Sequence, residues 1–293
     1  MVAPGSARYG RAVNHELLPF MVDEVVRRAL AEDLAGGDLT TEACIDPEAR
    51  AVANAVARHE VVACGAYVAE RVFAAVDPDL VVESRVPDGT RVVARTTLWT
   101  VRGRARSVLM GERVALNFTQ RMTGIATTTR TYVDAITPGA STRVTDTRKT
   151  TPGLRFLERY AVRVGGGANH RDTLGSAVLI KDNHIVAAGG IRAAIERARA
   201  RAPHTSRVEC EVDGLAGLDE ALAAGADVVL LDNMGDADVA EAVRRAKGKA
   251  ILEASGGITL ERIAALSAIG VDRISVGALT HSVRAADIGL DFV

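Results

Sequence analysis

Carboxylates collect where apolar runs end in the second half of the chain. Glu209, Glu211 and Asp213 belong to one run, and Asp232 ends the next. Because side chains alternate along a strand, the first three share one face. Crowded carboxylates need a cation to offset their repulsion, and hard oxygen ligands beside a phosphate suit Mg²⁺. We therefore predict that Glu211 and Asp232 hold magnesium, directly or through water or substrate. The alternative is that Asp213 and Asp232 cap the following helices.

Positive and titratable groups gather at the other run ends. The net charge of the whole chain is only −1, so it has no general excess of basic groups. A local group of five therefore predicts a receptacle for a polyanion, and arginine adds a fork of donors that matches a carboxylate. The five residues are Arg148, Lys149, His170, Arg171 and Lys181.

Two glycine-containing tips follow the last two apolar runs, Ser255-Gly256-Gly257 and Ser275-Val276-Gly277. Glycine lets backbone N–H groups approach an anion, and the start of a helix adds partial positive charge. The last two βα loops of α/β barrels are frequent phosphate sites. The pair of tips favours phosphate binding over the alternative of two tight turns.

The elements that must position these tips read as repeated βα units. Helix-like stretches of about 10–15 residues separate most of the runs, which is typical of a parallel sheet. Strands buried on both faces give continuous apolar runs. The runs span residues 141–144, 177–180, 207–212, 228–231, 250–252 and 273–276.

The first part of the chain has the pattern of a smaller α+β unit with an antiparallel sheet. We expect a long helical segment to connect it to the βα units, with a break near Gly124, and the C-terminal residues 290–293 to return to it. The predicted elements are helices at 18–34, 66–76 and 104–136 and strands at 49–63, 80–86 and 92–101.

Composition limits the class of protein. At 293 residues with 48% hydrophobic and 25% charged residues, the chain has ample core for a globular protein. The net charge of −1 gives no support for nucleic acid or an anionic membrane as partner. Cys44, Cys64 and Cys210 lack metal-like spacing and suit free thiols in a reducing compartment. Residues 1–14 have no signal-peptide core, and no apolar run of about 18 residues occurs, so we expect a cytoplasmic protein.

Several longer motifs, in order along nearly the whole chain, resemble the signature blocks of the quinolinate phosphoribosyltransferase family. A single difference is Thr119, where the family pattern has an apolar residue. The blocks are LNFTQRMTGIAT at 116–127, TRKTTPGLR at 147–155, GGANHR at 166–171, IKDNH at 180–184, EVD at 211–213, LDN at 231–233 and ISVGALTH at 274–281.

The resemblance implies a fold, a reaction and an assembly. The fold is α/β of the type II phosphoribosyltransferase kind: an N-terminal α/β sandwich domain, 1–116, joined by the tail 282–293, and an incomplete parallel α/β barrel, 117–281. The reaction joins quinolinate to phosphoribosyl pyrophosphate with Mg²⁺ and gives nicotinate mononucleotide, pyrophosphate and CO₂, a step of de novo NAD biosynthesis. The assembly is a homodimer with shared active sites.

The resemblance also implies roles for individual residues. Lys181, Glu211 and Asp232 would be catalytic, the last two also serving ribose and magnesium. Arg113 would reach quinolinate from the other subunit. The remaining quinolinate residues would be Thr147, Arg148, Lys149, His170, Arg171 and Lys181; the phosphate and ribose set would be Glu211, Asp232, Glu253, Ser255, Gly256, Gly257, Ser275, Val276, Gly277 and His281.

Three other functions remain open from the sequence. A paralogue associated with molybdenum uptake would share the motifs but use a different acceptor. A phosphosugar isomerase or aldolase would share the phosphate-binding barrel, and an aldolase would need Lys181 as a Schiff-base lysine, although its basic neighbours suit a dicarboxylate better. A ligand-binding protein without turnover is the third, and the complete set of Arg148, Lys181, Glu211 and Asp232 argues against it.

Overall fold

The computed structural model of the protein describes residues 17–293. The expectation that residues 1–14 carry no signal-peptide core lies outside the described residues, as do the first 16 residues of the predicted domain 1–116. The helices are α1 (Pro19–Asp33), α2 (Leu39–Cys44), α3 (Ala66–Val76), α4 (Ala105–Asp134), α5 (Arg155–Val164), α6 (Asp182–Ala188), α7 (Ile191–Arg201), α8 (Leu215–Ala223), α9 (Asp236–Ala246), α10 (Leu260–Ile269) and α11 (Ala278–His281).

The strands fall where apolar runs predict them, with two predicted strands, 49–63 and 92–101, each divided in two. They are β1 (Arg50–Ala57), β2 (Val61–Val62), β3 (Val81–Ser84), β4 (Arg91–Val92), β5 (Thr97–Arg104), β6 (Arg143–Thr145), β7 (Val178–Ile180), β8 (Val208–Val212), β9 (Val228–Asp232), β10 (Ile251–Ser255), β11 (Arg273–Ser275) and β12 (Ile288–Phe292).

The chain divides into two compact units. The first contains the described residues up to 128 together with 151–166 and 283–293, and the second contains 129–150 and 167–282. This division differs from the predicted boundary between residues 116 and 117. Helix α4 runs on unbroken past that point, and α5 is tied to the first unit by the ion pair of Glu158 with Arg121.

An antiparallel sheet of order β12-β1-β5-β3 forms the centre of the first unit. Strand β12 pairs with β1 from Ala53–Phe292 to Ala57–Ile288, which confirms the predicted return of the C-terminal tail. The buried Trp99 on β5 meets Phe73 of α3 edge-on, with ring centroids 5.7 Å apart. Aromatic side chains of this size supply much of the apolar area that a small unit buries.

The predicted break of the long helix near Gly124 is wrong. Helix α4 is continuous from Ala105 to Asp134. A side chain at position 124 would overlap the carbonyl oxygen of Arg284 and lie 3.2 Å from the backbone nitrogen of Ala286. The glycine therefore lets the tail backbone approach the helix, and the surrounding i to i−4 bonds keep the helix intact.

The second unit is built on a six-stranded parallel sheet of order β6-β11-β10-β9-β8-β7. The first strand in sequence, β6, pairs with the last, β11, so the order follows that of a barrel whose gap falls between β6 and β7. This arrangement confirms the predicted combination of an antiparallel α/β domain with an incomplete parallel α/β barrel. The carboxyl ends of all six strands lie at one edge, where barrels place their sites.

No helix within residues 17–293 is both long and apolar enough to cross a membrane. The longest, α4, has 30 residues but carries charged side chains throughout.

Candidate active site at the strand ends of the second unit

Strand register brings the carboxylates of the second unit to one face of its sheet. Glu211 of β8 pairs with Leu230 of β9, and Leu230 pairs with Glu253 of β10. Paired residues share a face, and so do residues two positions apart along a strand. Glu209 and Asp232 therefore project from the same face as Glu211 and Glu253. The sheet thus supplies four carboxylates to one surface.

A cation meets this face at the end of β7. Lys181 follows β7 directly, and its Nζ donates a hydrogen bond to Glu211 Oε2. The Lys181 side chain is 46% exposed and that of Glu211 is 14% exposed, so the pair lies where the interior opens to solvent. Two of the three predicted catalytic residues are therefore in direct contact.

His170 lies against two other carboxylates of the same face. Its Nε2 is 3.2 Å from Glu209 Oε2 and 3.4 Å from Glu253 Oε1, and both glutamates are buried. Its Nδ1 accepts a hydrogen bond from the backbone N–H of Arg171 at 2.7 Å. Both ring nitrogens are therefore engaged within the protein.

The loop that carries His170 is held by a fully buried carboxylate, Asp146, directly after β6. Asp146 accepts hydrogen bonds from the side chain of Asn169 at 2.5 Å and from the backbone N–H of His170 at 2.7 Å. Residue Ala168 also forms a parallel bridge with Thr145. These bonds fix the imidazole over the sheet.

The cluster of His170, Glu209 and Glu253 retains an extra proton. Burial alone lowers the pKa of His170, but hydrogen bonds to Glu209 and Glu253 raise that pKa to about 10. Burial also raises the pKa of the Glu209 carboxyl, and the charge of Glu253 adds to this effect. Near neutral pH the three groups thus bind one proton more than they would separately in water.

Two arginines form the cationic side of the site. Arg148 and Arg171 are half-buried, and Arg171 Nη1 donates to the carbonyl of Ala177 at 3.1 Å. Burial, and next the positive charge of Arg148, lower the pKa of Arg171. Arginine stays protonated at neutral pH in proteins, so this proximity concentrates positive charge beside the carboxylate face.

The predicted phosphate tips end β10 and β11. Gly256 and Gly257 have φ of 85° and 54°, a backbone conformation that other residues rarely adopt. At the second tip, a side chain on Gly277 would lie 3.0 Å from His281 Nε2 and 3.2 Å from Lys149 Cδ. The tip of β11 therefore brings Lys149 and His281 together.

Lys149 is also tied to this tip through its backbone, because Thr280 Oγ1 donates to the Lys149 carbonyl at 2.8 Å. Thr147 Oγ1 in turn accepts the backbone N–H of Lys149 at 3.1 Å. The half-buried Thr147 thus shapes the turn after β6. The Lys149 side chain itself stays exposed.

The predicted phosphate and ribose residues differ in exposure. Ser275 Oγ donates to Glu253 Oε1, and both residues are buried. Glu211, Asp232, Ser255, Gly256 and Gly277 are half-buried, Gly257 and His281 are exposed, and Val276 is buried. Arg113 is exposed on α4 in the first unit.

The oxygen donors of Glu211 and Asp232 fit a hard divalent cation. Glu211 Oε2 contacts Lys181, and Asp232 Oδ2 accepts the side-chain N–H of Asn233 at 2.8 Å. Each residue keeps one carboxylate oxygen without a hydrogen bond to another described residue. Two such oxygens beside the predicted phosphate tips match magnesium, which usually binds to one or two carboxylates and to substrate phosphates.

Three polar residues of the site were not assigned a role from the sequence. For Glu209 the sequence gives one signal, the alternation along the strand that places it on the same face as Glu211. Asn233 lies inside the quoted block 231–233 and Asp146 immediately precedes the block 147–155, but their importance depends on contacts with distant residues. The motifs alone therefore do not reveal the roles of these residues, which depend on strand register and on how the loops close over the sheet.

Comparison with known proteins gives a consistent result over most of the chain. Residues 38–123 match the model of the quinolinate phosphoribosyl transferase N-terminal domain, and residues 125–291 match that of the C-terminal domain. The nicotinate-nucleotide pyrophosphorylase [carboxylating] of Mycobacterium leprae is 46% identical over 276 residues, covering 92% of this chain and 96% of that protein.

Two solved structures also resemble this one closely. NadC from Streptococcus pyogenes has a TM-score of 0.90 at 40% identity, covering 95% of this chain and 99% of that chain. The nicotinate-nucleotide pyrophosphorylase from Francisella tularensis has a TM-score of 0.91 at 40% identity, covering 95% and 98%.

Proposed function

The chain belongs to the quinolinate phosphoribosyl transferase family, and we propose that it transfers a phosphoribosyl group to quinolinate with loss of CO₂, in de novo NAD biosynthesis. One observation of the structure carries this proposal. The Lys181–Glu211 contact joins a cationic group suited to a dicarboxylate with a carboxylate face suited to ribose and a cation. A site of this kind accepts two polyanions side by side.

The cationic side would bind the quinolinate carboxylates. Arg148 and Arg171 offer forked donors, and Lys149 and Lys181 offer compact ammonium groups. His170 supports this side indirectly, since both of its ring nitrogens are engaged within the protein. It holds the backbone of Arg171 and keeps a proton close to the anionic substrate.

The carboxylate side would bind the sugar. Glu211 and Asp232 would accept the ribose hydroxyls, and the tips at Ser255–Gly257 and Gly277, with His281, would border the 5-phosphate. Bound Mg²⁺ would neutralise the charge of the pyrophosphate leaving group. These roles use oxygen atoms and glycine loops that the register places along one edge of the sheet.

The chemistry follows from charge. The bond from ribose C1 to pyrophosphate breaks, and Glu211 and Asp232 stabilise the positive charge that develops on the sugar. The quinolinate nitrogen, held in line, supplies the electron pair of the new bond to C1. The resulting pyridinium withdraws the electrons of the bond to the 2-carboxylate, so CO₂ leaves and C2 takes up a proton.

We infer that two subunits share each site through Arg113, an exposed residue of α4. In a twofold dimer this helix of one subunit would close the site of the partner. Arg113→Ala and Lys181→Ala dimers should each be nearly inactive. After mixing with subunit exchange, half the dimers hold one intact site, and about a quarter of wild-type activity should return. No recovery despite exchange would remove Arg113 from this role.

A reducing compartment, and hence the cytoplasm, suits the cysteines. Cys44, Cys64 and Cys210 are all free, two of them buried. Burial raises the pKa of the Cys210 thiol to about 11, so it stays protonated and unreactive at neutral pH.

Product analysis tests the reaction. Quinolinate and phosphoribosyl pyrophosphate with Mg²⁺ should give nicotinate mononucleotide, pyrophosphate and CO₂ in equal amounts, and nicotinate should not replace quinolinate. Equal turnover of nicotinate, or no turnover of quinolinate, would contradict the proposal and favour the paralogue with another acceptor. Borohydride trapping of a phosphosugar on Lys181 would instead indicate an aldolase.

A further inference from the structure

Asn233 has an unusual backbone for an exposed residue. It follows β9 directly and has a φ of 55°; Arg95, at 68°, is the other non-glycine residue with positive φ in the described part of the chain. The left-handed conformation is unfavourable for a non-glycine residue, although less so for asparagine. Such an outlier persists when its surroundings fix it, and outliers of this kind cluster at functional sites.

Three contacts fix Asn233 between the tips of two strands. Its backbone N–H donates to the carbonyl of Ser255 at 3.0 Å, and its Nδ2 donates to Asp232 Oδ2 at 2.8 Å. Its amide also lies against Gly256, where a side-chain carbon would be 2.5 Å from Asn233 Cγ and 2.8 Å from its backbone nitrogen. The one side chain thus touches both the carboxylate that ends β9 and the loop that follows β10.

We propose that Asn233 is a positioning residue that fixes the Asp232 carboxylate relative to the Ser255–Gly257 loop, and so sets the spacing between the ribose hydroxyls and the 5-phosphate of the phosphoribosyl substrate. This inference rests on the proposed function and deepens it. Asn233 acts through Asp232 and Gly256, without itself binding the substrate.

The amide is suited to this position by its two different ends. The Nδ2 end donates to a carboxylate, which an aspartate of the same shape cannot do without repulsion. The Oδ1 end lies on a glycine that has no side chain to displace it. Glycine at 233 would keep the backbone conformation at no steric cost but lose both side-chain contacts.

The competing explanation is that Asn233 is only a turn residue, chosen for its tolerance of positive φ. A turn residue would affect folding and both substrates equally. A positioning residue of the sugar side would affect phosphoribosyl pyrophosphate and leave quinolinate nearly unchanged. The ratio of the two effects therefore separates the explanations.

The test measures steady-state kinetics for both substrates and calorimetric binding of phosphoribosyl pyrophosphate. We expect Asn233→Gly to raise the KM and Kd for phosphoribosyl pyrophosphate about tenfold, the scale of one hydrogen bond to a charged group, with the quinolinate KM changed less than about twofold. Asn233→Asp should raise them further, because it places a second carboxylate against Asp232.

Arg95→Gly is the matched control, because it removes the other strained non-glycine backbone while leaving the site intact. It should leave both KM values unchanged.

Gly256→Ala should weaken the binding of phosphoribosyl pyrophosphate in the wild-type background. It should weaken binding less in the Asn233→Gly background, because the new methyl group no longer overlaps the Asn233 side chain. Additive effects would show that the two positions are not coupled.

Wild-type values for both substrates in Asn233→Gly would overturn the inference. Equal losses of affinity for quinolinate and phosphoribosyl pyrophosphate, together with a lowered Tm in Asn233→Gly and Asn233→Asp, would also overturn it. That result is expected of a turn residue. Failure of the proposed function is recognised separately, because the wild-type protein would then not convert quinolinate at all.

Discussion

Two buried glutamates, one in each unit of the protein, have different surroundings. In the first unit, Glu158 is buried and both of its oxygens are bonded: Oε1 accepts from Arg121 Nε and Nη2 at 3.1 and 2.8 Å, and Oε2 accepts from the backbone of Thr151 at 3.1 Å. In the second unit, Glu209 is also buried, but its Oε1 has no hydrogen-bond partner among the described residues.

The difference distinguishes a network built for stability from one built for a ligand. A closed network satisfies each buried polar atom, and removing one member leaves another uncompensated. An open network already bears a cost in the unliganded protein, because a buried carboxylate oxygen lacks a donor. We expect substitutions in the closed network around Glu158 to change mainly stability, and substitutions at the strand ends of the second unit to change mainly activity.

The largest expected effect on stability is in the closed network. Glu158→Ala should lower the free energy of unfolding by about 3–5 kcal/mol, since it leaves the Arg121 guanidinium largely buried without its partner. Urea denaturation measures this loss. The control is Glu24→Ala, whose side chain is 61% exposed and pairs with Arg28 at 3.4 Å, and which should cost under about 1 kcal/mol. Equal losses for both variants would contradict the comparison.

The largest expected effect on activity is at the carboxyl ends of the strands of the second unit. Lys181→Ala and Arg148→Ala should each lower kcat/KM by about 30-fold to several thousandfold, the scale of 2–5 kcal/mol for a desolvated charged contact. For Lys181→Ala the free energy of unfolding should change by less than about 1 kcal/mol, because the Lys181 side chain is 46% exposed. Lys249→Ala, at an exposed lysine of the same unit, is the control. Near-wild-type kcat/KM in Lys181→Ala would show that the carboxylate pocket lies elsewhere.

A smaller effect should appear in the pH dependence of stability. The pKa of His170 is raised to about 10 in the folded protein, so its contribution is fully present below about pH 6.5 and is lost as pH rises towards 10. Glu209→Gln removes one of the two carboxylates responsible. The wild-type Tm should therefore fall by about 2–4 °C more than that of Glu209→Gln between pH 6.5 and 9.5, the scale of about 1 kcal/mol.

The control is Asp213→Asn, which changes an exposed carboxylate just after β8, the strand that carries Glu209. Its Tm should change with pH as that of the wild type does. The first unit should show the opposite dependence. A hydrogen bond from Arg104 and another from Ser107 lower the pKa of Asp77, so its contribution is lost as pH falls below about 4. Parallel Tm curves for wild type and Glu209→Gln would show that the cluster holds no extra proton.

Local sequence determined the elements of this protein and the residue types at their ends. The helix predicted at 66–76 is found at Ala66–Val76, and all six apolar runs of the second half are strands of one parallel sheet. These features depend on periodicity and on turn-forming residues within a few positions, so neighbouring residues suffice to encode them. The gathering of charged tips at one edge followed from the parallel arrangement.

Tertiary structure decided which polar atoms meet and what each glycine does. Gly124 suggested a helix break, yet its role depends on Arg284 in the distant tail. The partners of His170 come from two strands that follow it in the chain, and Asn233 contacts Ser255 at the end of β10 and Gly256 just after it. A hydrogen bond needs its two atoms within about 3 Å, and only strand register and the packing of separate segments set such distances.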